Sequence, residues 1–171
     1  MTHMTHMTRI STTPHRLAAA TAMLMCIGIG AAHAGTCPAD KVVADGKGQP
    51  ASSLPASGVT DTVLTSSDLA KQPIGINDRL FRLRRLVVQP GGVVPWHSHA
   101  DRPALIYIIS GEIVEYSSTC AVPIVHKAGE ATAETASTQH WWKNLGKQTV
   151  VLISADLFNK GHGDNHDNHM M

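Results

Sequence analysis

The chain has 171 residues, 43% of them hydrophobic and 4% aromatic, and a formal net charge of +1 at pH 7. A chain of that length buries a single core and forms one domain. No basic stripe suits a nucleic acid and no acidic block suits a basic partner, which excludes both classes of recognition.

Residues 1–34 differ in character from the rest. Arg9 and Arg16 precede an apolar stretch, Leu17 to Ala31, which ends in Ala32-His33-Ala34. A positive start, an apolar run too short to span a bilayer comfortably and an Ala-x-Ala end predict a signal peptide cleaved after Ala34. Cleavage takes two of the 14 basic residues and no acid, leaving 12 against 13. The mature chain contains no further apolar span, so a periplasmic or secreted protein is expected, without membrane contact once the leader is gone. Cys26 leaves with the leader, and Cys37 and Cys120 remain. Two cysteines in an oxidising compartment favour a disulfide between them.

The mature chain opens with an irregular N-terminal arm. Residues 38–61 are rich in turn formers and lack sustained periodicity. Thr62 to Thr65 reads as a short strand, and Ser66 to Ala70 as a capped helical turn stopped by Pro73. The arm and this first strand together occupy 35–79. Leu80 to Gln89 has strand composition, with Phe81, Leu83, Arg85 and Val87 on one face and Leu80, Arg82, Arg84, Leu86 and Val88 on the other. The first face is the apolar one, broken only by Arg85. Either Arg85 sits at a rim, or it points into a cavity and holds an anionic substrate. Pro90-Gly91-Gly92 reads as a turn, and Val93 to His99 as the next strand.

Ala104 to Ser110 and Glu112 to Ser117 flank Gly111 as a tight hairpin. Cys120 to His126, Ala131 to Glu134, Gln139 to Lys143 and Gln148 to Leu157 complete a series of short strands separated by turns. Such a series, with no helix of three turns, is an all-β chain forming a sandwich or barrel. From residue 159 to 171 the sequence is low in complexity and rich in His, Gly and Asn, and is expected to be disordered.

The chemistry centres on His97-Ser98-His99. Residues two apart on a strand point to the same face, so both imidazoles can reach one metal ion. His140 is a third candidate ligand. Gly91, His97, His99 and Gly111 fit the first motif of the cupin superfamily, which is Gly, five residues, His-x-His, three or four residues, Glu, six residues, Gly. His140 and Asn144 fit the end of the second, Pro-x-Gly-x-x-His-x-x-x-Asn. The chain therefore resembles the cupins over about residues 80–157. The resemblance implies a single antiparallel, jelly-roll-like β-barrel, taken here as 80–158, with His97, His99 and His140 as metal ligands. Ala104 stands where the family has its metal-binding glutamate, and Thr135 and Ser137 stand where it has proline and glycine. Glu134 and Asp101 are the nearest carboxylates, as substitute ligands or as outer acceptors for an imidazole N–H.

One divalent transition metal is expected as cofactor, and three imidazoles suit iron, manganese, nickel, copper or zinc alike. Three protein ligands leave exchangeable positions, as a catalytic or ligand-binding metal requires. Two functions follow: a dioxygenase-like enzyme, by the family resemblance, or a non-catalytic binding module for a small ligand or a metal. No catalytic residue is assigned. A small-molecule ligand or substrate is the expected partner, together with a second copy of the chain in a homodimer. Trp96, Trp141 and Trp142 are read as packing the barrel mouth, Tyr107 as a core residue with its hydroxyl at the rim, and His126 as a surface residue.

Overall fold

The computed structural model describes Met1 and residues 35–161. The predicted leader and the tail from 162 onward lie outside the described residues. Eight strands appear in order: β1 (Ser57–Asp68), β2 (Arg79–Ser98), β3 (Ala104–Ser110), β4 (Glu112–Ser117), β5 (Ile124–Lys127), β6 (Ala131–Glu134), β7 (Gln139–Lys143) and β8 (Val150–Asn159). All the pairings are antiparallel, in the order β5-β4-β7-β2-β8-β3-β6, with β1 added on β2. This is the all-β, nearly closed barrel expected of a jelly roll.

The main departure from the sequence reading lies in β2. A turn was expected at Pro90-Gly91-Gly92, and the strand instead runs straight through it for 20 residues. Its first half pairs with β8, from Arg79↔Asn159 to Val88↔Val150, and its second half pairs with β7, from Val93↔Lys143 to Ser98↔Gln139. The turn residues make a corner at which β2 changes partner, from β8 to β7. Glycine is needed there: Gly91 has φ +77°, and a Cβ on Gly92 would lie 2.8 Å from the Gln89 carbonyl oxygen. The first strand, expected at four residues, is twelve long and pairs with β2 from Ser57↔Val93 to Asp68↔Leu80. The helical turn begins one cap later than expected, with Asp68 accepting from the Ala70 N–H at 3.2 Å.

The faces of β2 are also reversed. Arg82, Arg84, Leu86 and Val88 point inward and are buried, whereas Phe81 and Leu83 are exposed and Arg85 lies outside with them. The inner face carries its charge because Asp156 on β8 meets it. Arg82 donates from Nε and Nη2 to the two Asp156 oxygens at 2.9 and 2.6 Å. Arg84 Nε lies 3.3 Å and Arg102 Nη1 3.5 Å from Asp156 Oδ2, and Arg84 also pairs with Asp61 of β1. Beyond this layer the core is apolar, built from Leu86, Val88, Val94, Ile106, Ile108, Ile113, Trp142, Val150 and Leu152.

The arm wraps the loop after β4. Val43 N–H donates to Thr119 O, Gly48 N–H to Ser118 O and Gln49 N–H to Ser117 O, at 2.8–2.9 Å. The disulfide expected from the cysteine count is present, joining Cys37 and Cys120 with Cα atoms 5.7 Å apart. It closes a loop over a separation of 83 residues. In the chain-entropy description its reduction should cost about 4–5 kcal/mol. The urea midpoint of the reduced protein should fall accordingly, and equal midpoints before and after reduction would rule the constraint out.

Candidate metal centre

β2 and β7 bring the histidines together. His97 and His140 are direct cross-strand partners, and His99 follows two residues on, its N–H bonded to Thr138 O at 2.9 Å. The ladder shifts register between Val94 and His97. Pro95, which has no N–H to give a ladder, fits such an irregularity. Its carbonyl then faces the His97 ring.

Each Nδ1 has an acceptor that fixes the tautomer. His97 Nδ1 lies 2.9 Å from Pro95 O, His99 Nδ1 2.8 Å from Arg102 O, and His140 Nδ1 2.8 Å from Glu115 Oε1. With the proton on Nδ1, each Nε2 carries a lone pair. The three Nε2 atoms converge at 2.9, 3.0 and 3.1 Å from one another. When all three rings are neutral, the three lone pairs at that spacing repel, and a cation at their centre turns the repulsion into attraction. The residues therefore fit one transition metal ion held by His97, His99 and His140.

The surrounding charge is arranged to keep them so. Burial, and then the neighbouring imidazoles, push His97 well below its ordinary pKa; burial and His140 bring His99 down to about 3. Burial would raise Glu115, but hydrogen bonds from His126 and His140 outweigh it and hold the carboxyl at about 2. Glu115 thus bridges two histidines, with His126 Nε2 at 2.8 Å from Oε2. His126, expected at the surface, is fully buried and stacked on Trp142 at 4.4 Å.

The other two carboxylates take different places. Glu134 is opposite Ala104 in the β3–β6 ladder, so it comes from the neighbouring strand toward the position of the missing motif glutamate. It is buried, with Oε2 3.5 Å from His140 Nδ1, on the ring edge away from the Nε2 cluster, and Oε1 has no hydrogen-bond partner. Burial raises it to about 7. Asp101 pairs instead with Arg79 at 2.6 Å and accepts from Asn159 at 2.7 Å, exposed at the ends of β2 and β8.

Beside the histidines is a cavity of about 30 Å³, walled by Leu86, Val94, Ile106, Trp142 and Leu152, with Arg84 and Ser154 as its further polar lining. Of the two readings of the arginine strand, the inward cation belongs to Arg84, not Arg85. Trp141 stacks on Tyr116 at 4.1 Å, and Tyr107 faces outward. Asn144, the last residue of the second motif, is buried and donates from Nδ2 to Val88 O and Gln148 O, closing the turn between β7 and β8. Sequence reasoning missed Glu115, His126, Arg84 and Asp156. Only a strand-face assignment fixed by pairing would have put them inside.

The metal-free protein should lose stability in acid. His97 and His99 have depressed pKa values, so below the ordinary histidine value of about 6.5 the unfolded chain takes up two protons that the folded one refuses. Burial opposes the charge on His140 as well, but Glu134 and Glu115 outweigh it, so its pKa is raised. Without an ion it is charged in folded and unfolded chain alike over this range and adds nothing to the slope, and a bound ion would displace its Nε2 proton. Glu134, raised, gains a proton in the fold and offsets one of the two. Between pH 6.5 and 4.5 one net proton remains, so stability should fall by about 1.4 kcal/mol per pH unit. Below 4.5 Glu115 adds to the loss. Urea titrations of metal-free protein at pH 6.5 and 5 test it; equal stability at both would refute the neutral, buried state of His97 and His99.

Comparison with known proteins finds relatives of the barrel. The family model described as "Cupin domain" matches residues 84–156. A germin-like protein subfamily 2 member 2 from Arabidopsis thaliana is 29% identical over 97 residues, 55% of this chain and 44% of that protein. Nectarin-1 from Nicotiana langsdorffii x Nicotiana sanderae is also 29% identical over 97 residues, 55% of this chain and 42% of the relative. The match thus spans less than half the length of these relatives. Among solved structures, a predicted oxalate decarboxylase from Thermotoga maritima is 22% identical, with 58% of this chain and 80% of that one covered at a TM-score of 0.48. Residues 84–156, which carry both histidine motifs, thus form a cupin domain.

Proposed function

We propose that this is an exported, metal-dependent cupin that acts on a small molecule as a dioxygenase-like oxidoreductase. The convergence of three Nε2 lone pairs at 2.9–3.1 Å beside an apolar cavity supports this reading. An ion held by His97, His99 and His140 would keep exchangeable positions for oxygen and for a substrate oxygen, and a redox-active metal would supply electron transfer there. The chain's own contributions are separate. Glu115, Pro95 O and Arg102 O hold the rings in one tautomer, and the walls of Leu86, Val94, Ile106 and Leu152 exclude water. Arg84 and Ser154 present a cation and a hydroxyl to an anionic substrate group.

Elemental analysis of purified, untagged protein gives the metal. Oxygen consumption is then followed with small phenolic, thiol and carboxylate substrates, oxalate included, for protein loaded with iron, manganese or zinc. Sustained consumption by the iron or manganese form alone supports the reading. A second reading, a binding module, is favoured by the cavity's lack of an acid–base pair apart from the histidines. Stoichiometric metal with saturable ligand binding and no turnover on any substrate would select it.

A further inference from the structure

We propose that the Cys37–Cys120 disulfide is a redox latch on the metal centre: through the arm it holds His140 in place, and a dithiol reductant releases it. This role depends on the three-histidine metal centre proposed above. Two paths of contact lead from the disulfide to His140. On the first, Gly35, two residues before Cys37, is buried against His126, where a Cβ would lie 3.0 Å from His126 Nδ1 and 3.3 Å from Glu130 Oε2. His126 Nε2 meets Glu115 Oε2, and Glu115 Oε1 meets His140 Nδ1, each at 2.8 Å. On the second path the arm is bonded to the loop after β4. Val42 bridges Cys120, the Ala121 N–H donates to Lys41 O at 2.9 Å, and Asp45 accepts from Ser118 Oγ and, at 3.1 Å, from Gln139 Nε2. That loop is joined to β7, since the Ser118 N–H donates to Gln139 O at 2.8 Å and Ser117 is the ladder partner of His140.

Little besides the disulfide holds the arm there. None of residues 36–56 is buried, so the segment contributes almost no apolar area, and hydrogen bonds open to water stabilise it only weakly. Cys120, by contrast, is fully buried and anchors Cys37 to the barrel. With the bond open, the end of the arm leaves His126 and water reaches the chain His126–Glu115–His140. The carboxylate then shares its hydrogen bonds with solvent and orients the His140 ring less firmly. Because Cys37 is half-buried, its sulfur is the one a thiolate can attack, and Cys120 leaves. The second thiol of the dithiol then displaces Cys37. The protein disulfide has gained two electrons and two protons, and the reductant has become a disulfide.

The test titrates zinc, against a competing chromophoric chelator, into untagged wild type and into Cys37→Ala/Cys120→Ala, which opens the bond and leaves no thiol to bind the ion. The double variant is expected to bind about 10–100-fold more weakly, with an unchanged far-ultraviolet spectrum. Amide hydrogen exchange in the metal-free proteins reads the arm without any ion. The N–H groups of Val43, Gly48, Gln49 and Ala121, all bonded between arm and loop, should exchange faster in the variant. Wild type reduced with dithiothreitol should show the same faster exchange, reversed on reoxidation. If the double variant fails to fold, Gly35→Leu keeps the disulfide but drives the end of the arm off His126, and should weaken zinc binding about 10-fold. Equal affinity in wild type and a folded double variant, or wild-type affinity in Gly35→Leu, overturns the latch and leaves the metal centre standing. A wild type that binds no ion brings down both.

Discussion

Asp156→Asn is expected to destabilise the protein by about 3–5 kcal/mol, the largest effect of any single polar substitution in the barrel. The Asp156 side chain is fully buried and receives both nitrogens of the Arg82 fork. Asparagine keeps its shape and removes its charge, so Arg82 and Arg84 are left close together, with Asp61 alone to offset Arg84. Arg82 also lies over the Phe158 ring at 4.0 Å, so displacing it disturbs the end of β8. Thermal and urea unfolding measure the loss, and a change below about 1 kcal/mol would show that the cluster is far more hydrated than its burial indicates.

Replacing His97, His99 or His140 singly by alanine should reduce bound metal from one ion per chain to a small fraction, with affinity at least about 100-fold weaker. Glu115→Gln should weaken it about 10–100-fold, because the neutral amide holds the His140 Nδ1–H less strongly than the carboxylate. The folds should persist, since the apolar core touches none of the substituted side chains except through Trp142. Deleting the chain from Gly161 should leave the strong site intact, because mobile histidines must lose conformational entropy to bind. Metal content of each untagged variant decides it. Loss of binding in the tail deletion, with binding kept in His97→Ala, would move the site out of the barrel and end the catalytic proposal.

How much of this was legible in the sequence depends on which force fixed each feature. Local spacing fixed β3, β4, β6 and β7, whose bounds coincide with those read from the residues, and it placed His97 beside His99. The disulfide followed from cysteine arithmetic. The faces of β2 were not legible, because alternation reveals an apolar stripe without saying what it packs against. Here the stripe of Phe81 and Leu83 faces outward, and the arginines are inside because Asp156 arrives from β8, 74 residues beyond Arg82, to join Asp61 of the preceding strand. His126 read as a surface residue for the same reason. Its burial depends on Glu115 and Trp142, which no local pattern ties to it. Pro90-Gly91-Gly92 carried a true bend signal, but a bend inside a continuing strand and a turn between two strands use the same residues.

The pairing of β2 with β8 has a consequence for when the protein becomes competent. Arg82 meets Asp156 across 74 residues, and His99 meets His140 across 41. During synthesis or translocation, the early half of the chain can form only the β1–β2 ribbon, in which Arg84 has Asp61 but Arg82 still lacks Asp156. Closure waits for the last strand, and loop-closure entropy makes such distant pairings slow. The three imidazoles thus come into register only after nearly the whole chain has emerged. If the chain is exported as proposed, the ion would be chosen by the compartment of arrival, from whatever metals circulate there, and not by the compartment in which the protein was made.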